Sequence, residues 1–132
     1  EYTGAAGWIA GSIVNGVQLL VPSAHQGIIM LACLYLVTSV LTEALSNNAV
    51  AALMAPIAIG VGVNLGMDPR PFIVAVAFAA SAAFATPIGY QTNTYVYGVG
   101  GYRFSDFMKI GLPLNALCFT IAMFVIPRVW LF

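Results

Sequence analysis

Four apolar runs, 27–41, 49–65, 72–84 and 110–132, divide the chain, and the gaps between them differ in kind. The first gap is Thr42-Glu43-Ala44-Leu45-Ser46-Asn47-Asn48, where hydrogen-bonding groups crowd together with no Lys or Arg, and no Gly or Pro follows until Pro56. A connection lying in water normally carries such punctuation. Two arrangements fit. One is a pair of plain transmembrane helices joined by a tight polar turn. The other is a re-entrant hairpin whose tip meets in mid-membrane, with backbone groups at the break free to bind a ligand. The second arm is built of small residues, Ala49, Ala51, Ala52, Ala55, Ala58, Gly60 and Gly62, which allow close helix approach, and Pro56 removes a backbone donor inside it.

The second gap, 66–71, contains Asp68-Pro69-Arg70-Pro71, a polar turn suited to starting a helix. The run 72–84 is too short for a hydrocarbon core of about 30 Å, which takes about 20 helical residues, so a span must be completed beyond it. There the pattern breaks at Ala85-Thr86-Pro87-Ile88-Gly89-Tyr90-Gln91-Thr92-Asn93. Pro87 and Gly89 would unwind a helix and free carbonyls near Ala85, while Thr86, Gln91, Thr92 and Asn93 add neutral oxygens and amides of the kind hard monovalent cations accept. A Pro-kinked surface loop is the competing reading. Gly98, Gly100 and Gly101 mark a turn. The most charged segment, 102–109, reads as a short amphipathic helix entering the last span, 110–132, which Trp130 anchors at an interface. Arg103 and Lys109 favour a cytoplasmic start for that span, but Arg70 and Arg128 oppose the same topology, and the orientation stays open. At the other end, residues 3–20 carry Ser12, Asn15 and Gln18 on one helical face and Trp8 at interfacial depth, which predicts a helix lying in the membrane plane. Pro22 stops it. His25 after it reads as a surface or capping group, with a proton relay as the rarer use.

Composition fixes the solvent. The chain is 61% hydrophobic and 6% charged, against roughly 25% charged in soluble domains, and its mean hydropathy is +0.98. This is an integral membrane protein, and its several apolar runs predict more than one pass. Zero net charge points to no nucleic-acid partner. Cys33 and Cys118 lie in separate apolar runs and read as packing residues. With neither a signal peptide nor an initiator Met, the chain reads as a piece of a longer protein. No buried acid pair, Cys-His pair or metal cluster suggests an enzyme. Glu43 is the one acid inside an apolar environment, where insertion costs about 2.5–3.5 kcal/mol. It either acts at a site or, protonated or hydrogen-bonded, ties the tip to a neighbouring helix.

The string Leu41-Thr42-Glu43-Ala44-Leu45-Ser46-Asn47-Asn48-Ala49 resembles the second Ser-Asn-Thr signature of the divalent anion/sodium symporter family, within the ion transporter superfamily. Ala85-Thr86-Pro87, the Tyr97-Gly98 turn and Phe107-Met108-Lys109-Ile110-Gly111-Leu112 are similar to that family's broken helix and final helix, and Thr3-Gly4-Ala5-Ala6 to its interfacial arm. The resemblance implies an all-α integral membrane fold: a helical bundle with a re-entrant hairpin and a broken transmembrane helix, forming the second half of an inverted-repeat elevator transporter. Its segments would be an interfacial helix at 1–21, the hairpin at 26–66, the broken helix at 71–107 and the final helix at 108–132. It further implies a sodium ion as coupling ion, held by Thr42, Leu45, Asn47, Ala85 and Pro87, several through backbone carbonyls. A small anion would sit on Ser46, Asn47 and Asn48. The implied partners are the lipid bilayer, the first repeat and scaffold of the same transporter, and a second copy in a homodimer. Asn48 departs from the family's Thr, which turns the expectation from dicarboxylate toward sulfate or a similar inorganic anion, and the tip is similar to the branch carrying TrkA-C-type domains. Two alternatives remain: a proton-coupled or channel-like permease in which Glu43 titrates, and a non-transporting membrane subunit.

Overall fold

The computed structural model describes residues 4–20, 22 and 25–130. Of the expected first segment, residues 1–3 and 21 and the side chains of Gln18 and Leu20 lie outside the described residues, as do Ser23, Ala24 and residues 131–132. The described chain is all-helical: α1 (Ala5–Leu20), α2 (Gln26–Thr42), α3 (Asn47–Leu65), α4 (Arg70–Ala80), α5 (Gln91–Gly100) and α6 (Phe104–Val129). Residues 43–46 separate α2 from α3 and residues 81–90 separate α4 from α5. The charged segment at 102–109 forms no helix of its own. Instead α5 stops before Gly101, whose φ of +65° ends it, and α6 runs unbroken from Phe104, four residues ahead of the expected start of the final helix. Asp106 supports that start, its Oδ2 accepting the Arg103 backbone N–H at 2.9 Å.

The core forms around α4. Phe72, Ala75, Val76, Ala79 and Ala80 are all buried between Met30, Leu31, Leu34 and Tyr35 of α2 and Val50, Met54, Ile57 and Val61 of α3. Alanines along the shortest hydrophobic helix let both arms approach it closely. Beyond α3 lies α1, which buries Ala10 and Val14, and a Cβ on Gly60 would meet Ala10 at 3.0 Å. Trp8 of α1 faces outward, 76% exposed.

Only α3 and α6, with 19 and 26 residues, are long and apolar enough to cross a membrane among the described helices. The outward face of α6 presents Ile110, Leu117, Ile121 and Phe124, and α2 and α3 add Val40 and Val63. A water-soluble molecule rarely exposes so continuous an apolar surface, whereas lipid covers it at no cost. The inward face of α6 carries Gly111, Asn115, Phe119, Ala122 and Ile126 at helical spacing. Phe119 meets Tyr35 edge to face, centroids 5.4 Å apart. About two turns from the start of α6, a Cβ on Gly111 would collide with the backbone of Phe84 and Ala85.

Gly111 therefore sets how closely α6 approaches residues 81–90. Gly111→Leu in the full-length protein is expected to destabilise the detergent-solubilised fold by about 1–3 kcal/mol, as overpacking does. A thermal scan should show a clearly lowered melting temperature, whereas Leu112→Ala, on the exposed face, should leave it close to wild type.

Candidate functional site

The tip between α2 and α3 is compact because the end of α2 folds back on one carbonyl. Leu41 C=O accepts the N–H groups of Ala44 at 3.1 Å and Leu45 at 2.9 Å. Ser46 then turns extended, with φ −64° and ψ 143°, and its hydroxyl accepts the Ala49 N–H at 3.4 Å as the N-cap of α3. The first N–H groups of a helix have no partner within it, so α3 opens with a positive end, and no acidic residue in its first turn neutralises that end.

The break between α4 and α5 is held by side chains instead of helix hydrogen bonds. Asn93 Nδ2 donates to the Ala83 carbonyl at 2.9 Å and the Thr86 carbonyl at 3.2 Å, and Thr94 Oγ1 donates to the Pro87 carbonyl at 2.7 Å. Thr86 Oγ1 accepts the Gly89 N–H at 3.2 Å. Tyr90 caps α5 in extended conformation, so α5, like α3, begins with free N–H groups facing away from its own body.

One carboxylate joins tip and break. Glu43 Oε1 accepts the N–H groups of Phe84 at 3.1 Å and Ala85 at 2.9 Å, and Oε2 accepts that of Thr86 at 2.8 Å. Asn115 Nδ2, from α6, adds a fourth donor at 2.7 Å. Thr86 Oγ1 returns a bond to the Glu43 carbonyl at 2.6 Å. Beside this, Gly89 lies so close that a Cβ would come within 2.6 Å of the Thr42 carbonyl. Thr42 Oγ1 stands 2.6 Å from the Ala80 carbonyl and 2.8 Å from Asn47 Oδ1. A hydroxyl has one proton, so both contacts are satisfied when it goes to Ala80 and Asn47 turns its amide NH2 toward Thr42.

A cavity of about 490 Å³ opens at this junction, lined by Asn47, Ser81, Ala83, Phe84, Tyr90, Thr92 and Asn93. The first turns of α3 and α5 both border it, and the polar groups on its wall are all uncharged. Such a wall can hold an anion through helix ends, amides and hydroxyls, without an ammonium or guanidinium.

Of the residues expected to bind ligands, Thr42, Ala85 and Pro87 are buried and Asn47 is half-buried. Thr42 and Asn47 meet directly, and Ala85 sits on the carboxylate of the residue next to Thr42. Leu45 is 45% exposed, and Ser46 and Asn48 are exposed at the start of α3, with no hydrogen bond from them to the break among the described residues. Only Asn47 of the three tip residues lines the cavity. His25 is exposed and makes no side-chain cap, and Cys33 and Cys118 are free thiols, half-buried. Sequence reasoning missed Asn115. Its signal was available, a lone amide in the otherwise apolar stretch 110–126, but nothing in the pattern paired it with Glu43.

The whole chain, residues 1–132, matches the family described as "Sodium:sulfate symporter transmembrane region". It is 48% identical over 117 residues to an uncharacterized transporter of Synechocystis sp., covering 89% of this chain and 18% of that protein. An uncharacterized transporter of Escherichia coli is 44% identical over 103 residues, 78% of this chain and 17% of the relative. Sodium/sulfate cotransporter 2 of Chlamydomonas reinhardtii is 36% identical over 118 residues, 89% of this chain and 13% of the relative. The chain thus spans a fifth or less of the length of these relatives. A match from end to end, on an all-helical membrane fold, places the chain in the sodium:sulfate symporter transmembrane family.

Proposed function

We propose that this chain is the C-terminal transport part of a sodium-coupled symporter for a divalent inorganic anion, sulfate ahead of dicarboxylates, working by an elevator motion with the first repeat and scaffold of its own protein, as a homodimer in a plasma or bacterial inner membrane. The observation that carries it is the junction of tip and break, where two helix starts and neutral amides face one cavity. Relatives that bear the name sodium/sulfate cotransporter support the choice of ions. The anion contacts are Ser46, Asn47 and Asn48. The cation contacts are Thr42, Leu45, Asn47, Ala85 and Pro87, largely through carbonyls. Exposure of Ser46, Asn48 and Leu45 leaves them open to an incoming ligand, while Asn47 serves both sites at once.

Coupling follows from charge. Moving a dianion into a negative interior costs about 2.3 kcal/mol per charge per 100 mV, which co-transported sodium offsets. Cations that order tip and break raise the affinity for the anion, and the anion raises theirs by the same factor. A proton-coupled permease is the second reading. Against it, Glu43 is spent as an acceptor for four donors, so a proton relay through it would have to undo the junction.

The direct test is uptake of labelled sulfate and succinate by the full-length protein with sodium or choline outside; uptake that ignores sodium sinks the coupling. Asn47→Ala, in protein that still inserts, should abolish coupled uptake of both ions, and near-normal rates would move the site elsewhere. Asn48→Thr should shift preference toward dicarboxylates, read as the ratio of succinate to sulfate uptake. In a background without Cys33 and Cys118, a thiol introduced by Thr86→Cys should react more slowly with a small reagent in sodium than in choline. Thr42→Ala should erase that protection. Equal reactivity in both salts, with sodium-driven uptake intact, would show that the cation binds away from the break.

A further inference from the structure

Asn115 donates Nδ2 to Glu43 at 2.7 Å while its own Oδ1 is buried with no hydrogen-bond partner. The amide cannot turn round to relieve this, because its oxygen would then face a carboxylate. An apolar residue of the same shape would remove the orphaned acceptor, so the cost is carried for the sake of the donor. Three donors converge on Glu43 Oε1, the N–H groups of Phe84 and Ala85 and the Asn115 amide, whereas Oε2 takes only Thr86. Without Asn115 the carboxylate keeps its three backbone donors but loses the one that ties it to α6.

What that carboxylate controls is the direction of three carbonyls. In a planar trans peptide, C=O points opposite to N–H. Turning the N–H groups of 84, 85 and 86 toward Glu43 therefore turns the carbonyls of Ala83, Phe84 and Ala85 away from it. Asn93 takes the first of these. The second lies against Gly111, one turn before Asn115 on the same face of α6. The third, Ala85 C=O, receives no donor among the described residues. It is the carbonyl left over for a cation.

We infer that Asn115 is a positioning residue for cation binding: by fixing the Glu43 carboxylate against the N–H groups of 84–86, it holds the Ala85 carbonyl outward in the orientation that sodium needs. This rests on the sodium-coupled reading above. It adds a residue on α6, remote in sequence from tip and break, that touches neither ion yet sets the affinity for one of them.

The test uses the full-length transporter in proteoliposomes, as wild type, Asn115→Leu, which keeps shape without the donor, and Asn115→Ala. Initial rates of sulfate uptake are measured against sodium at saturating sulfate, then against sulfate at saturating sodium. Loss of one charge-assisted hydrogen bond should raise the half-saturating sodium roughly tenfold. The KM for sulfate at saturating sodium should stay close to wild type. Sodium protection of the thiol in the Thr86→Cys protein should need more sodium in the same proportion once Asn115→Leu is added, which reads cation binding without transport. An unchanged sodium dependence in either variant, or a fall in maximal rate alone, overturns the inference and leaves Asn115 a packing residue. If neither variant inserts, its role is folding, and the inference is equally overturned. Wild-type uptake that is independent of sodium would instead bring down the coupled reading itself, a failure visible before any variant is compared.

Discussion

A single carboxylate organises this part of the protein. Glu43 stands where α2 ends, and the three successive N–H groups it accepts belong to the stretch where α4 has already ended. Each interruption alone would leave backbone donors or acceptors without partners in a medium that offers no water, at several kcal/mol apiece. Brought together, they answer one another. The tip supplies an acceptor for the break, and the break returns the Thr86 hydroxyl to the tip carbonyl. The polar chemistry of the two interruptions is thereby confined to one place and mostly satisfied there.

The surrounding helices are shaped to permit that meeting. Alanines of α4 let α2 and α3 lie close on either side, and glycines at 89 and 111 remove the Cβ atoms that would hold tip, break and α6 apart. Long side chains are placed on the outside instead, where Ile110, Leu117 and Phe124 are exposed. Small residues here act as clearance, and the hydrogen bonds then fix what the clearance allows.

Much of this was legible beforehand. Polar residues 42–48 stand out because they interrupt apolar runs without the residues of a water-exposed loop, and Pro87 with Gly89 marks the second interruption. Glu43 as a hydrogen-bonded tie was one of its two readings, and the geometry gives it that role. Hidden was the pairing, since Glu43 meets donors 41 to 43 residues away and Asn115 at a separation of 72. Periodicity records which face a residue shares, not which distant backbone it will meet. The charged segment at 102–109 suggests a short helix of its own, but Gly101 ends α5 and Asp106 caps the start of α6, which runs unbroken through it. Nor does residue type reveal that Leu45 and Asn48 lie exposed, along with Ala44, Ser46 and Ala49 around them.

The lengths of the helices carry a consequence for biogenesis. Helices of 11 and 10 residues, α4 and α5, fall well short of the roughly 20 that span a bilayer. Among the described helices, only α3 and α6 are long and apolar enough to cross it. A short helix with open peptide groups stays in hydrocarbon only once its donors have been claimed. In a nascent chain the contact between residue 43 and residues 84–86 claims three such donors at once, and without it those peptide groups would be left open.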